Sequence, residues 1–255
     1  MGFPADVTQA LVLRFVDFGE SDRIVHLLTP DRGRVAAMAK GARRSRKRFP
    51  GTLDLFNQLD VQLDPRRRQG LARLEAARLV RAFQGPRTDA DRFALGCYVL
   101  ELLDRAAPEG GRRADLERLF DFAVGALSHL DEEPASRKLL VIFELRALDA
   151  LGFRPELSHC VRCGAEITAD SAPRFHVGEG GPVDRGCQQP ADAAVPIGLG
   201  TLRSLLRALE RPLEDLRNFA LRGELLEEAH QIVRRFHRFH LGFELRSERF
   251  VDRLT

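Results

Sequence analysis

The chain lacks any stretch of about 18 consecutive apolar residues, the length that a transmembrane helix requires. We therefore expect no membrane span and no membrane partner. The first residues, Met1 to Asp6, also lack the basic start and apolar core of a secretory signal. Position 6 holds aspartate, where a myristoylation motif needs serine or threonine. Together these absences predict a cytoplasmic protein.

Cysteine and catalytic motifs are scarce as well. Four cysteines in 255 residues are too few for a disulfide scaffold, although two of them are spaced like metal ligands. The sequence has no Walker A motif, no metallohydrolase motif and no convincing pairing of a nucleophile with a base. We therefore expect a protein that is not an enzyme and that makes or breaks no covalent bond.

Charge is distributed unevenly along the chain, although the formal net charge is only +3. Residues 1–82 contain 16 basic and 9 acidic residues, a net charge of +7, whereas residues 83–255 carry a net charge of −4. This asymmetry indicates a basic N-terminal module with a polyanionic partner, joined to a mildly acidic body.

The basic module has the alternating and β-branched patterns of short strands. Turn signals separate predicted strands at 8–16, 23–29, 34–39, 56–63 and 71–79. Five short strands in about 80 residues favour a small barrel, because closure removes the exposed edges of a sheet. The sequence therefore predicts a five-stranded OB-fold β-barrel at residues 1–82.

The loop between the third and fourth predicted strands carries the sharpest charge feature of the chain. Six cations stand in nine positions with no acid among them: Lys40, Arg43, Arg44, Arg46, Lys47 and Arg48. A second basic group lies in the next loop and consists of Arg66, Arg67 and Arg68. Such loops gain affinity for nucleic acid by releasing the counterions condensed on its phosphates. Both groups are predicted to bind nucleic acid, and a solvated loop without a ligand is the alternative.

Aromatic residues that could stack on bases are few, since the chain has no tryptophan and one tyrosine. Only Phe49, which adjoins the basic run, is predicted to be a stacking residue. This scarcity predicts binding that depends on the phosphate backbone, tolerates different base sequences and weakens as salt is added.

The body, residues 83–255, has the apolar periodicity of helices. It predicts helices near 89–107, 116–127, 136–151, 200–209 and 225–241, with a weaker one at 213–221. Cys97 falls on the first of these and is expected to be a small buried hydrophobe. The predicted fold class is therefore α+β, a β-barrel followed by an all-α domain.

Residues 153–196 interrupt this helical pattern with five prolines and three of the four cysteines. Cys160 and Cys163 form a knuckle of two thiols separated by two residues, and Cys187 follows later. A structural zinc site needs four ligands, and Asp184 stands where a second Cys-x2-Cys knuckle would begin. We expect an inserted zinc-ribbon-like module that binds zinc through the three cysteines and Asp184.

Alternatives to this metal site stay open. His159 and His176 are other candidates for the fourth ligand. A ribbon that has lost its metal and persists by packing is the alternative to zinc binding. A redox role for the Cys-x-x-Cys pair is disfavoured, because no βαβ pattern surrounds it.

The order of the parts, together with several short segments, carries a resemblance that spans nearly the whole chain. These segments are Val12–Arg14, Gly19–Asp22, Ile24–Pro30, Gly33, Ala39–Arg43, Leu53–Phe56, Cys160–Gly164, Gly180–Gly181 and His240–Ser247. In this order they resemble the bacterial recombination mediator RecO family. That family usually has two cysteine knuckles with four thiolates, and the second knuckle is incomplete here at Asp184.

The resemblance implies an OB-fold and binding of single- and double-stranded DNA. It also implies annealing of complementary strands, together with RecR and single-stranded-DNA-binding protein in the RecF repair pathway. A cytoplasmic, nucleoid-associated location follows from these roles. Annealing fits the charge pattern, because a cationic surface lowers the repulsion between two polyanions.

Two other functions remain compatible with the sequence. One is an RNA-binding accessory factor of ribosomes or transcription, since OB-folds and zinc ribbons occur there too. The other is a protein-interaction scaffold whose basic loop binds an acidic tail. Competition between matched DNA and RNA oligonucleotides separates the first of these from a DNA-binding mediator.

Overall fold

The N-terminal part of the chain is a closed five-stranded barrel. The computed structural model describes residues 7–45, 47–64 and 70–254. The strands are β1 (Val7–Phe18), β2 (Asp22–Thr29), β3 (Gly33–Ala39), β4 (Asn57–Leu63) and β5 (Ala72–Ala82). They confirm the five predicted strands, with observed ends that differ by a few residues.

The barrel closes in the strand order β1-β2-β3-β5-β4, and β4 pairs with β1. Neighbouring strands are antiparallel except β3 and β5, which pair in parallel at Ala37–Ala72 and Met38–Arg73. Alternate side chains point inwards and form the core, as Leu27, Leu59 and Val61 show by being fully buried. This arrangement confirms the predicted barrel and is consistent with an OB-fold.

Three helices follow the barrel: α1 (Gly85–Thr88), α2 (Ala90–Ala106) and α3 (Arg113–Glu132). Helix α2 packs against β1 and β2. His26 of β2 lies 2.5 Å from the carboxylate of Asp104 on α2. By its contacts the chain therefore divides into Met1–Pro134 and Ala135–Thr255. The domain boundary expected after residue 82 lies at the end of β5, inside the first of these two units.

A close backbone approach joins the β2–β3 turn to the connection between α2 and α3. Gly33 has a φ of +69°, and a Cβ built on it would lie 2.3 Å from the carbonyl oxygen of Pro108. The N–H of Arg34 donates to that same carbonyl at 2.9 Å, and the N–H of Gly110 donates to Arg32 at 2.9 Å. Both the backbone conformation and the lack of space therefore require glycine at position 33.

The second unit contains α4 (Arg137–Ala150), α5 (Leu199–Glu210), α6 (Glu224–Leu241) and α7 (Glu248–Val251). Ser136 begins α4 as an N-cap, because its hydroxyl accepts a hydrogen bond from the N–H of Leu139 at 3.3 Å. Helix α4 is central to the core, with Val141, Ile142 and Leu148 fully buried. Among the described helices, none is long and apolar enough to cross a membrane.

The predicted interruption of the helices is present between α4 and α5. It contains a small antiparallel sheet of β6 (Arg174–His176), β7 (Gly181–Val183) and β8 (Ala194–Pro196), in the order β7-β6-β8. Phe175 of β6 is buried, and its ring meets that of Phe236 on α6 edge to face at a centroid distance of 6.0 Å. We call residues 153–196 the insert.

Arg162 cross-links three separate segments of the insert. Its guanidinium donates to both carboxylate oxygens of Asp192 at 2.7 and 2.8 Å and to Glu179 at 2.7 and 3.0 Å. It also donates to the carbonyl oxygen of Cys187 at 2.7 Å. These hydrogen bonds from Arg162 lower the pKa of Asp192 to about 2. We call this group the Arg162 clamp.

The close approach at Gly33 predicts an unusually sensitive position. Alanine with a positive φ costs roughly 1 kcal/mol of stability, and at Gly33 the clash with Pro108 adds to this. Gly19 is the matched control, because its φ is +59° and nothing lies within 4 Å of its Cβ position. In urea unfolding, Gly33→Ala should lose about 3 kcal/mol or more and Gly19→Ala about 1 kcal/mol. Equal losses would show that the close approach is unimportant.

The Arg162 clamp predicts a specific pH dependence of stability. Because the folded pKa of Asp192 lies near 2 and its unfolded pKa near about 3.9, the clamp stabilises the fold above about pH 4. That contribution is lost as the pH falls towards about 2. Asp192→Asn should therefore be less stable at neutral pH and lose less on acidification. Unfolding free energies from urea titrations at several pH values test this, with the exposed Asp170→Asn as the control. An unchanged acid profile in Asp192→Asn would contradict it.

Candidate nucleic-acid interface and metal centre

The basic loop, residues 40–48, connects β3 to the segment before β4. All of its cations that the structure describes are exposed: Lys40, Arg43, Arg44, Lys47 and Arg48. Arg46 and the second basic group, Arg66–Arg68, lie outside the described residues. The structure thus brings five of the predicted DNA-binding residues together on one loop.

The backbone of the basic loop is anchored to the turn between β1 and β2. The N–H of Gly41 donates to the carboxylate of Asp22 at 2.7 Å, and the N–H of Arg43 donates to the carbonyl of Ser21 at 3.0 Å. The first of these bonds is the main reason that the pKa of Asp22 is lowered. Arg48 closes the loop on itself, because its guanidinium donates to the carbonyl of Lys40 at 2.6 Å. These bonds hold the loop backbone in place and leave several cations at the surface.

Acidic residues of the same turn lie beside two of these cations. Asp17 is 3.6 Å from the guanidinium of Arg43, and Glu20 is 3.9 Å from that of Arg44. The four side chains are between 44% and 92% exposed. Exposed ion pairs contribute about 0–1 kcal/mol, so these arginines can exchange their carboxylates for phosphates. We call residues 17–22 the acidic turn.

Phe49 does not have the predicted stacking position. It is only 3% exposed and packs inside the barrel with Leu53 and Leu59. Arg48 lies over its ring, with its guanidinium carbon 5.2 Å from the ring centroid. A ring that fills the barrel offers no free face to a base, so the assignment of Phe49 to the stacking surface is wrong for this structure.

Three cysteines of the insert form the second candidate site. The sulfur atoms of Cys160, Cys163 and Cys187 all lie within 4.8 Å of one another. The backbone N–H of Asp184 donates to the sulfur of Cys160 at 3.3 Å and so joins the two cysteine-bearing turns. Gly164 permits the first turn with a φ of +74°. The predicted spacing has therefore brought its three thiols together.

The thiols differ in acidity. Burial opposes ionisation of Cys160, but backbone N–H groups of Asp184, Cys163 and Arg162 outweigh it and lower its pKa to about 7. The hydrogen bond with Cys163 is the main cause that raises the pKa of Cys187 to about 11. A bound divalent cation would favour the thiolate form of all three. Three converging sulfurs supported by N–H donors suit a thiophilic metal ion.

Asp184 is not part of this cluster, which corrects its assignment as the fourth ligand. Its carboxylate instead accepts a hydrogen bond from the N–H of Gly186 at 2.8 Å and caps the turn that leads to Cys187. Only its backbone N–H reaches the cysteines. His159 and His176 are also outside the cluster and lie 3.7 Å from Glu156 and Glu179.

Cys97 has the structural position predicted for it. It is partly buried on α2, and burial is the main cause that raises the pKa of its thiol to about 11. A protonated, sheltered thiol is unsuited to metal binding or nucleophilic chemistry. Cys97 is therefore separate from the site formed by the other three cysteines.

Sequence reasoning missed two groups that shape these sites. By sequence the acidic turn is a turn signal alone, although its three acids precede a strongly basic loop by about twenty residues. The sequence pattern assigns no role to Arg162, which stands between Cys160 and Cys163. A lone arginine between two metal-type cysteines was the available signal, since buried carboxylates commonly pair with arginine.

Two family models of known proteins together match almost the entire chain. Residues 6–83 match the family Recombination protein O N terminal, and residues 87–249 match Recombination protein O C terminal. The family boundary thus falls close to the end of β5, in agreement with the change from strands to helices.

Individual relatives support the same assignment. The chain is 38% identical to "DNA repair protein RecO" of Anaeromyxobacter dehalogenans (strain 2CP-C), over 96% of this chain and 94% of the relative. It is 31% identical to the protein of that name in Syntrophotalea carbinolica, over 97% and 94%. The Geobacter sulfurreducens protein is 39% identical over 79% of each chain. The chain therefore belongs to the RecO family of DNA repair proteins.

Proposed function

We propose that this protein is a DNA-binding recombination mediator that binds single- and double-stranded DNA and anneals complementary strands. The observation that carries the proposal is the basic loop, whose exposed cations stand on a backbone tied to the barrel. Membership of a DNA repair family supports DNA as the polyanion. The chemistry required is electrostatic, and no covalent step is part of it.

Annealing needs two polyanions to approach each other closely. Cations that replace condensed counterions lower the electrostatic repulsion and release ions to the solvent, which favours binding at low salt. The loop contacts phosphates and not base edges, so one surface serves strands of any sequence. Burial of Phe49 strengthens this dependence on the backbone, because it removes the predicted stacking contribution.

Family membership also supports RecR and single-stranded-DNA-binding protein as partners in the RecF repair pathway. The same membership supports zinc as the ion for the three cysteines, whose sulfur ligands and spacing are typical of structural zinc sites. Zinc would fasten the two turns of the insert and has no part in the annealing chemistry. Metal analysis of the purified protein tests it, and well under about a tenth of an equivalent of zinc would exclude it.

Removal of loop cations should weaken DNA binding and annealing together. In the triple variant Arg43→Ala, Arg44→Ala and Lys47→Ala, we expect the affinity for single strands at low salt to fall about tenfold or more. The slope of log affinity against log salt should shrink by about 2, because about one phosphate contact is lost per residue and each contributes about 0.7 on a single strand. Fluorescence anisotropy and an annealing assay with complementary oligonucleotides measure the two effects.

The matched control removes three exposed cations at the N-terminal end of α3 and in the residue before it, by changing Arg112, Arg113 and Arg118 to alanine. This variant has the same net charge as the loop variant and should keep nearly wild-type affinity. Unchanged annealing in the loop variant would contradict the assignment of this loop. A clear preference for RNA over matched DNA strands would favour an RNA-binding accessory factor instead.

The acidic turn should limit the affinity of the basic loop for DNA. Changing Asp17→Asn and Glu20→Gln frees Arg43 and Arg44 from competing carboxylates. We expect tighter binding by up to about fivefold for each pair, or roughly 30-fold for both, since each exposed pair is worth at most about 1 kcal/mol. Anisotropy titrations measure this against a control with Asp115→Asn and Glu117→Gln on α3. An equal gain in both variants would show that only net charge matters.

A further inference from the structure

We infer that the metal centre holds its ion through three protein thiolates and leaves a fourth coordination position to an exchangeable ligand. That ligand is water, which a small imidazole or thiol can displace. The inference rests on the proposed zinc binding and adds to it an open position. Four protein ligands close a structural zinc site, whereas three ligands leave a position where exogenous molecules can bind.

The second turn of the centre lacks the first thiolate of a knuckle, and Asp184 stands in its place. Asp184 precedes Cys187 by three residues, as Cys160 precedes Cys163. The sulfur of Cys160 accepts a hydrogen bond from the backbone N–H of Asp184 at 3.3 Å, so the two turns meet at this residue. The carboxylate of Asp184 accepts a hydrogen bond from the N–H of Gly186 at 2.8 Å, which caps the turn and leaves the carboxylate outside the sulfur cluster.

No other described side chain supplies the fourth ligand. Within residues 7–45, 47–64 and 70–254, the cluster of potential ligands around these sulfurs contains only the three cysteines. Cys160 is buried, Cys187 is half-buried and Cys163 is exposed. An ion held by the three sulfurs is thus sheltered beside Cys160 and accessible to solvent on the side of Cys163.

The Arg162 clamp explains how the ligands keep their positions without a fourth bond to the metal. Arg162 lies between two of the cysteines, and its guanidinium donates to the carbonyl of the third, Cys187, at 2.7 Å. Its bonds to Asp192 and Glu179 fix it from the other side. The chain therefore organises three sulfurs by hydrogen bonds, and the open position requires no change in the fold.

Cobalt(II) in the full-length protein tests the inference, because its visible absorption reports the ligands around the ion. Titration with imidazole should change the wild-type cobalt spectrum until it saturates, as imidazole displaces water. Asp184→Cys should abolish this response, because the new thiolate fills the fourth position. It should also slow zinc removal by a chelator by on the order of 10- to 100-fold or more, since a direct ligand affects metal affinity at least as much as an outer-shell partner does. Asp184→Asn keeps an oxygen for Gly186 and should behave like wild type.

The outcomes separate the two proposals. A wild-type protein that binds neither zinc nor cobalt removes the proposed metal site, and the open position with it. A protein that binds one equivalent of metal but shows no imidazole response overturns the open position alone. Loss of metal in a folded Asp184→Asn protein also overturns it, because the carboxylate would then be a ligand. If Asp184→Cys does not fold, the imidazole titration of the wild-type protein and the metal content of Asp184→Asn still test the open position.

Discussion

Six cations within nine residues repel one another, and the basic loop stays on the barrel because its backbone is bound to the turn beside it. The bonds from Gly41 and Arg43 use main-chain N–H groups, so they do not consume the charges of the side chains. Closure of the barrel in turn holds β1, β2 and β3 in register and places turn and loop at the same end. The position of the proposed DNA-binding loop therefore depends on barrel closure and on these two main-chain hydrogen bonds.

Arg162, compared with Arg43 and Arg44, shows that neighbouring carboxylates determine whether a guanidinium has a structural role or is available to a ligand. Arg162 is surrounded by two carboxylates and a carbonyl at hydrogen-bonding distance, which fits a structural role. Arg43 and Arg44 have one exposed carboxylate each, at 3.6 and 3.9 Å. Weak, solvated pairs of this kind leave the charge available to a stronger polyanion. The same residue type thus fastens the insert and forms the proposed DNA surface.

Strands and helices could be predicted because each depends on local pattern, and the cysteine cluster could be predicted because thiols with metal-ligand spacing converge on a shared site. Alternation in 57–63 and helical periodicity in 137–150 reflect the burial that these segments have in the structure. The burial of Phe49 could not be predicted, because it follows from barrel closure, which brings together distant strands. The role of Asp184 could not be predicted for a different reason. Spacing gives the position of its carboxylate in the chain, whereas the conformation of the turn decides that the carboxylate binds the N–H of Gly186. The Arg162 clamp joins residues 30 positions apart, beyond any local pattern.

Photo-crosslinking of a bound single-stranded oligonucleotide, followed by peptide mapping, shows whether DNA binds at the basic loop. It reports where DNA lies on the unmodified protein and does not depend on the effect of a substitution. We expect most crosslinks to fall in peptides containing the basic loop, with fewer at higher salt as phosphate contacts are lost. Crosslinks confined to the unit Ala135–Thr255, with none in residues 40–48, would contradict it.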